Sequence, residues 1–241
     1  MTTDPRVCET VLENVAAVRD RMAAACLKAG RRATEVTLVA VTKYVDASTT
    51  AAVLAAGCHE LAESRPQAIW EKSAALAACD PPPRWHLIGH LQRNKVRRTL
   101  PLTAMIETVD SLRLLEAIEI EGGRQELSPC DLLIEVNLTS DPSRSGAAEA
   151  DVAALVAAAA RSPQVRLRGL MGMAGHPDTA DSDPRRDFAR LRELRDRLAP
   201  NLSEPSRLAE LSMGMSGDFE AAILEGATIV RIGSALFEGL G

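Results

Sequence analysis

Lysine is the rarest charged residue of this chain, with four among 241 residues, so that nearly all positive charge rests on arginine. The five cysteines, Cys8, Cys26, Cys58, Cys79 and Cys130, are an odd and scattered set with no CxxC or ligand spacing. They read as reduced small hydrophobes of a cytoplasmic chain, not as a disulfide framework or a metal site. No apolar run is long enough to span a bilayer, and Met1–Arg6 lacks the apolar core of a signal peptide, so no membrane partner is expected. Neither GxGxxG nor GxxxxGK[ST] stands where a dinucleotide or P-loop fold needs it. The net charge of -5 argues against a sequence-blind nucleic-acid binder. The local basic cluster Arg93, Arg97 and Arg98 reads as a solvated helix face.

What is present is an ordinary globular composition, 46% hydrophobic and 25% charged. Val7, Val11, Val15, Val18 and Met22 recur at helical spacing, and Gly30 closes that opening helix. Strand-like runs then follow at Val36–Val41, His59–Glu63, Trp85–Ile88, Met105–Val109, Leu132–Leu138, Leu167–Met173, Leu208–Met213 and Thr228–Ile232. Helical segments lie between them, among them Ser48–Ala56, Gln67–Ala78, Ser111–Ile120, Glu149–Ala160, Arg185–Leu198 and Asp218–Leu224, with Gly57 and Gly226 as C-caps. Eight β-α repeats predict an α/β protein, a (β/α)8 TIM barrel with an extra N-terminal helix, in one domain over residues 1–241. Pro81-Pro82-Pro83 is a loop within that unit, because strand-like sequence resumes at once.

With four lysines, each can be weighed. Lys28 lies near the end of an amphipathic helix, Lys72 on another helix and Lys95 in a polar arginine-rich stretch, and all three read as solvated. Lys43 ends the continuous apolar run Val36-Thr37-Leu38-Val39-Ala40-Val41-Thr42. A buried strand that delivers an amine to its C-terminal end suits a Schiff-base lysine, and a structural salt bridge is the alternative. Barrel chemistry sits at that end of the strands, and the loops after strands seven and eight are its habitual phosphate site. Gly233 there lets backbone N–H groups approach an anion, and Ser212 and Ser234 add hydroxyls. An amine beside a phosphate cradle points to pyridoxal 5'-phosphate (PLP), with a class I aldolase as the competing chemistry. Arg231, two residues before Gly233, is then either an interior ion pair or the partner of the pyridine nitrogen. His86 is expected as a hydrogen-bonded interior histidine, His90 with Gln92 and Asn94 at the barrel mouth, and Asp141, Ser143, Arg144, Ser145 and Gly146 as a polar loop over it.

Five segments carry a family resemblance: Val39–Lys43, Trp85–Lys95, Arg168–Met171, Leu211–Ser216 and Val230–Ser234. In this order, and over nearly the whole chain, they resemble the pyridoxal phosphate homeostasis protein family of the YggS/PROSC type, related to the alanine racemase barrel domain. The resemblance implies that Lys43 holds PLP as a Schiff base, that Arg231 faces the pyridine nitrogen, and that Ser212, Gly233 and Ser234 hold the phosphate. One departure stands out. The family's Gly-Glu-Asn after the second strand reads Ala62-Glu63-Ser64 here, so Ser64 takes the place of a cofactor-lining asparagine. A racemase needs two bases on opposite faces of its substrate, yet the single tyrosine, Tyr44, directly follows Lys43. The expectation is therefore a monomeric PLP-holding protein of cofactor homeostasis, without robust catalysis, that serves PLP-dependent apo-enzymes. A weak PLP-dependent amino-acid racemase and the aldolase stand as alternatives.

Overall fold

The computed structural model describes residues 4–139, 141, 143–175 and 183–240. Helix α1 (Pro5–Lys28) starts where the Asp4 carboxylate accepts the Arg6 N–H at 2.9 Å and Pro5 takes the first helical position. It buries Val11, Val15, Val18 and Met22, and Gly30 ends it at φ 67°, a left-handed conformation that favours glycine.

Among the described residues eight parallel strands close a barrel in sequence order: β1 (Thr37–Val41), β2 (Glu60–Glu63), β3 (Arg84–Leu87), β4 (Thr103–Val109), β5 (Cys130–Val136), β6 (Val165–Gly172), β7 (Glu210–Ser212) and β8 (Ile229–Ile232). The crossovers are α2 (Ala47–Ala55), α3 (Pro66–Ala75), α4 (Arg93–Thr99), α5 (Leu112–Arg124), α6 (Glu149–Arg161), α7 (Pro184–Leu198) and α8 (Phe219–Leu224). The expected (β/α)8 barrel with one extra leading helix is thus observed. The seventh strand is shorter than the expected Leu208–Met213, because Pro205–Leu208 forms a 3-10 turn in front of it. Arg93, Arg97 and Arg98 lie exposed on α4, as expected of a solvated face.

Alternation along the strands splits the apolar residues into two sets. Val39, Val41, Ala62, Met105, Leu133, Met171 and Ile229 fill the barrel axis, while a larger layer packs between sheet and helices. Strands β6 and β7 approach so closely at Gly169 that a Cβ there would stand 1.8 Å from the Glu210 carbonyl oxygen. Among the described residues no helix is long and apolar enough to cross a membrane.

One lysine departs from expectation. Lys72, on α3, is not solvated: it is 8% exposed and its ammonium lies 2.6 Å from the Glu63 carboxylate. Here α3 turns a charged residue inward, onto a carboxylate at the end of β2.

Candidate functional site

The C-terminal ends of β1 and β8 meet in the barrel. Parallel pairing sets Val39 beside Arg231 and Ala40 beside Ile232. Gly233 then lies so close to β1 that a Cβ on it would touch Val41 at 3.5 Å. Lys43 follows Val39 and Val41 in the interior alternation, two residues past the strand. It occupies a tight turn in which the Val45 N–H donates to the Thr42 carbonyl at 3.1 Å. Asp46 ends the turn by accepting the Thr49 N–H at 2.7 Å, which caps α2. The Lys43 side chain is exposed, with its amine 4.8 Å from the ring centroid of Tyr44, itself 89% exposed.

Beneath this mouth a chain of polar side chains crosses the barrel. The His86 ring nitrogens face two carboxylates, Glu107 Oε1 at 2.6 Å and Glu60 Oε2 at 2.9 Å. An ionised carboxylate can only accept, so both nitrogens donate and the ring is an imidazolium. Burial alone would push its pKa down, but hydrogen bonds and charge from Glu107 and Glu60 outweigh it and raise the value to about 9. The expected interior histidine is thus present, and it is charged. On the other side of Glu107, the Ser212 hydroxyl donates to Oε2 at 2.5 Å and accepts from Arg231 Nη1 at 2.7 Å. Arg231 also donates to the Gly172 carbonyl at 3.2 Å, and its Nη1 is 4.0 Å from Glu107. Burial lowers the Arg231 pKa, while the charges of Glu107, Glu135 and Asp218 oppose that. Arginine remains charged in such settings.

The structure places the expected site residues at two levels. Ser212, expected on an anion, is fully buried below the mouth, where its hydroxyl donates to Glu107 and accepts from Arg231. Ser216, in the same segment, stands at the mouth, and no spacing in the sequence singles it out. Its hydroxyl oxygen accepts the N–H groups of Gly233 and Ala235 at 3.3 Å each. Two amides therefore converge on one oxygen, the donor arrangement that an anionic oxygen also needs. Ser234, exposed beside them, can add a hydroxyl. Gly214 permits the loop between: at φ 92° it sits where a Cβ would meet Ala222 at 2.6 Å, and its carbonyl accepts the Arg231 N–H at 3.0 Å.

The other side of the mouth comes from β2 to β5. Ser64 is half-buried, and its carbonyl oxygen is 2.0 Å from the place a Cβ would take on Gly89. His90, Gln92 and Asn94 are exposed after β3, as expected of mouth residues. In the loop after β5, Ser145 donates to the buried carboxylate of Glu135 at 2.6 Å, and Arg144 reaches the Ala174 carbonyl at 3.4 Å. Burial raises the Glu135 pKa, with Asp110 adding to it, while Ser145 and Arg231 act against it. Positions 140 and 142 of this polar loop lie outside the described residues. Among the described residues no three His, Cys, Asp or Glu side chains form a metal-ligand group.

Three comparisons bear on this geometry. The model of the alanine racemase N-terminal domain matches residues 14–240. The pyridoxal phosphate homeostasis protein of Pseudomonas aeruginosa is 40% identical over 228 residues, covering 95% of this chain and 95% of its own length. That of Escherichia coli K12 is 35% identical over 228 residues, covering 94% of this chain and 95% of its own. Among solved structures, PipY of Synechococcus elongatus PCC7942 with PLP bound superposes with a TM-score of 0.79 at 34% identity, over 94% of this chain and 99% of PipY.

Proposed function

This chain belongs to the pyridoxal phosphate homeostasis proteins, within the alanine racemase N-terminal domain family, and from that premise we propose that it binds PLP through Lys43 and takes part in intracellular PLP homeostasis. The observation that carries the assignment of residues is the meeting of β1 and β8. The strand that leads to the exposed amine is the neighbour of the strand that leads to two convergent backbone amides, which supports one shared site. PLP, when bound, supplies an aldehyde with which a lysine amine condenses reversibly and a pyridine ring whose electron demand depends on the partner of its nitrogen.

This chain's own residues fit each part. Lys43 presents the amine. The N–H groups of Gly233 and Ala235, with the hydroxyls of Ser216 and Ser234, are the donors for the phosphate, and Ser64 lines the opposite rim. Arg231 is the partner of the pyridine nitrogen. A fixed cation there disfavours a proton on that nitrogen, and Ser212 and Glu107 hold the guanidinium from below. Such a site holds the cofactor and quiets it. Tyr44 supports the carrier reading over a racemase, because its ring lies beside the Lys43 amine, 4.8 Å away, and not across the barrel from it. The proposal includes a monomeric barrel over residues 1–241 acting in the cytoplasm, with PLP-dependent apo-enzymes as recipients.

The test is the absorbance of protein loaded with PLP, together with the mass of the adduct trapped by borohydride. Lys43→Ala is expected to lose both. An unchanged spectrum refutes the assignment, and a trapped sugar phosphate in place of PLP would favour the aldolase.

A further inference from the structure

The amine of Lys43 is exposed, and the contact the structure gives it is an exposed ring. Its aim is therefore set by the backbone of the turn it stands on. That turn closes on the Thr42 carbonyl, which accepts the Val45 N–H at 3.1 Å. The same oxygen accepts the Lys72 ammonium at 2.8 Å. Thr42 is held at its other polar atoms as well: its N–H donates to the Ala62 carbonyl at 3.0 Å, and its hydroxyl to Glu63 Oε1 at 2.7 Å. Lys72 binds that very carboxylate oxygen at 2.6 Å. A residue on α3, one at the end of β2 and the peptide before Lys43 thus form one buried knot, Lys72 being 8% and Glu63 1% exposed.

Stability alone does not explain the knot. A buried ion pair can often be replaced by apolar groups of equal volume without loss. Nor does the Thr42 carbonyl need it, since the Val45 N–H already satisfies one bond there. What the ammonium adds is a second, charge-assisted bond to the turn's closing oxygen, which removes the freedom of that peptide to rotate. We propose that Glu63 and Lys72 are positioning residues for Lys43, a buried ion pair that locks the Thr42–Val45 turn and so aims the amine at the barrel mouth. The proposal rests on Lys43 being the PLP attachment site. Loss of aim is costly for condensation, because orientation of the reacting groups carries much of the gain of an intramolecular encounter.

The experiment compares wild type, Lys43→Ala, Glu63→Gln/Lys72→Met and Lys72→Arg, each titrated with PLP. The double variant removes both charges together, so no unpaired charge stays buried. Its new amide at position 63 can still accept from the Thr42 hydroxyl, whereas a thioether at position 72 cannot donate to the Thr42 carbonyl. Lys72→Arg keeps the ion pair and displaces the donor, and it covers the case in which the double variant does not fold. The readouts are the PLP dissociation constant, the pH midpoint of the adduct's absorbance change, the lysine that borohydride traps, and the melting temperature without PLP. Both variants at position 72 are expected to trap PLP on Lys43 still, with the dissociation constant raised about tenfold in the double variant and severalfold in Lys72→Arg, and with a displaced pH midpoint. A dissociation constant and pH midpoint equal to wild type, whatever the melting temperature does, overturn the positioning role and leave the Lys43 assignment standing. Wild type without an adduct on Lys43 overturns both.

Discussion

The imidazolium of His86 makes stability fall as the solution becomes alkaline, over a window that the structure defines. In the unfolded chain the ring titrates near 6.5; in the barrel the hydrogen bonds it donates to Glu107 and Glu60, and their charges, override the burial penalty and move it to about 9. Because the folded value is the higher one, the contribution is complete below about pH 6.5 and is lost as the pH rises through 9. Between those values the native state holds a proton that the unfolded state has released, so stability declines by about 1.4 kcal/mol per pH unit, to a total on the order of 3 kcal/mol. Urea unfolding of wild type and His86→Gln from pH 6 to pH 10 measures it. Glutamine keeps a donor toward one carboxylate and has no titration, which cancels the alkaline effects of other groups in the difference. The expected result is a gap between the two proteins that shrinks by on the order of 3 kcal/mol across the window. Parallel pH curves for the two proteins would refute the charged state deduced from the two carboxylate contacts.

Two further outcomes follow from geometry. Gly169→Ala places a methyl 1.8 Å from the Glu210 carbonyl oxygen, backbone that cannot yield without parting β6 from β7; a loss of more than about 3 kcal/mol in urea unfolding, or no folded protein, is expected. Ser216→Ala removes a hydroxyl at the amides of Gly233 and Ala235 and is expected to weaken PLP binding severalfold in a fluorescence titration while the melting temperature of the free protein moves little.

The barrel was legible because its signals are local. Each strand is a short buried run, and each crossover carries its own punctuation, such as Gly57 and Gly226 at φ 78° and 96° after their helices. Lys43 and Gly233 were legible for a related reason: a strand end is visible in sequence, and β1 and β8 must be neighbours once the sheet closes. Lys72 was not. Its adjacent residues, Glu71 and Ser73, are polar, and the carboxylate that draws it inward comes from a strand, so only the packing of α3 over the end of β2 reveals it. Ser212 and Ser216 show the same limit at finer grain. Both are serines of one segment, and their division between the barrel interior and the rim depends on where β7 stops, at Ser212. The run from Glu60 through His86 and Glu107 to Ser212 and Arg231 uses β2, β3, β4, β7 and β8, and no spacing along the chain encodes such a register.

The pairing of β1 with β8 also orders events in time. Lys43 is synthesised long before the residues whose amides would face it. Helix α1 waits too, since Asn14 donates to the carbonyls of Leu236 and Glu238 at 3.2 and 2.9 Å, the former across 222 residues. Such distant partners make a slow closing step, and a nascent chain still short of β8 has a lysine without a cradle. Capture of PLP by a growing chain would therefore mark the moment at which the ring of strands shuts, and a chain halted before Gly233 should ignore the cofactor altogether.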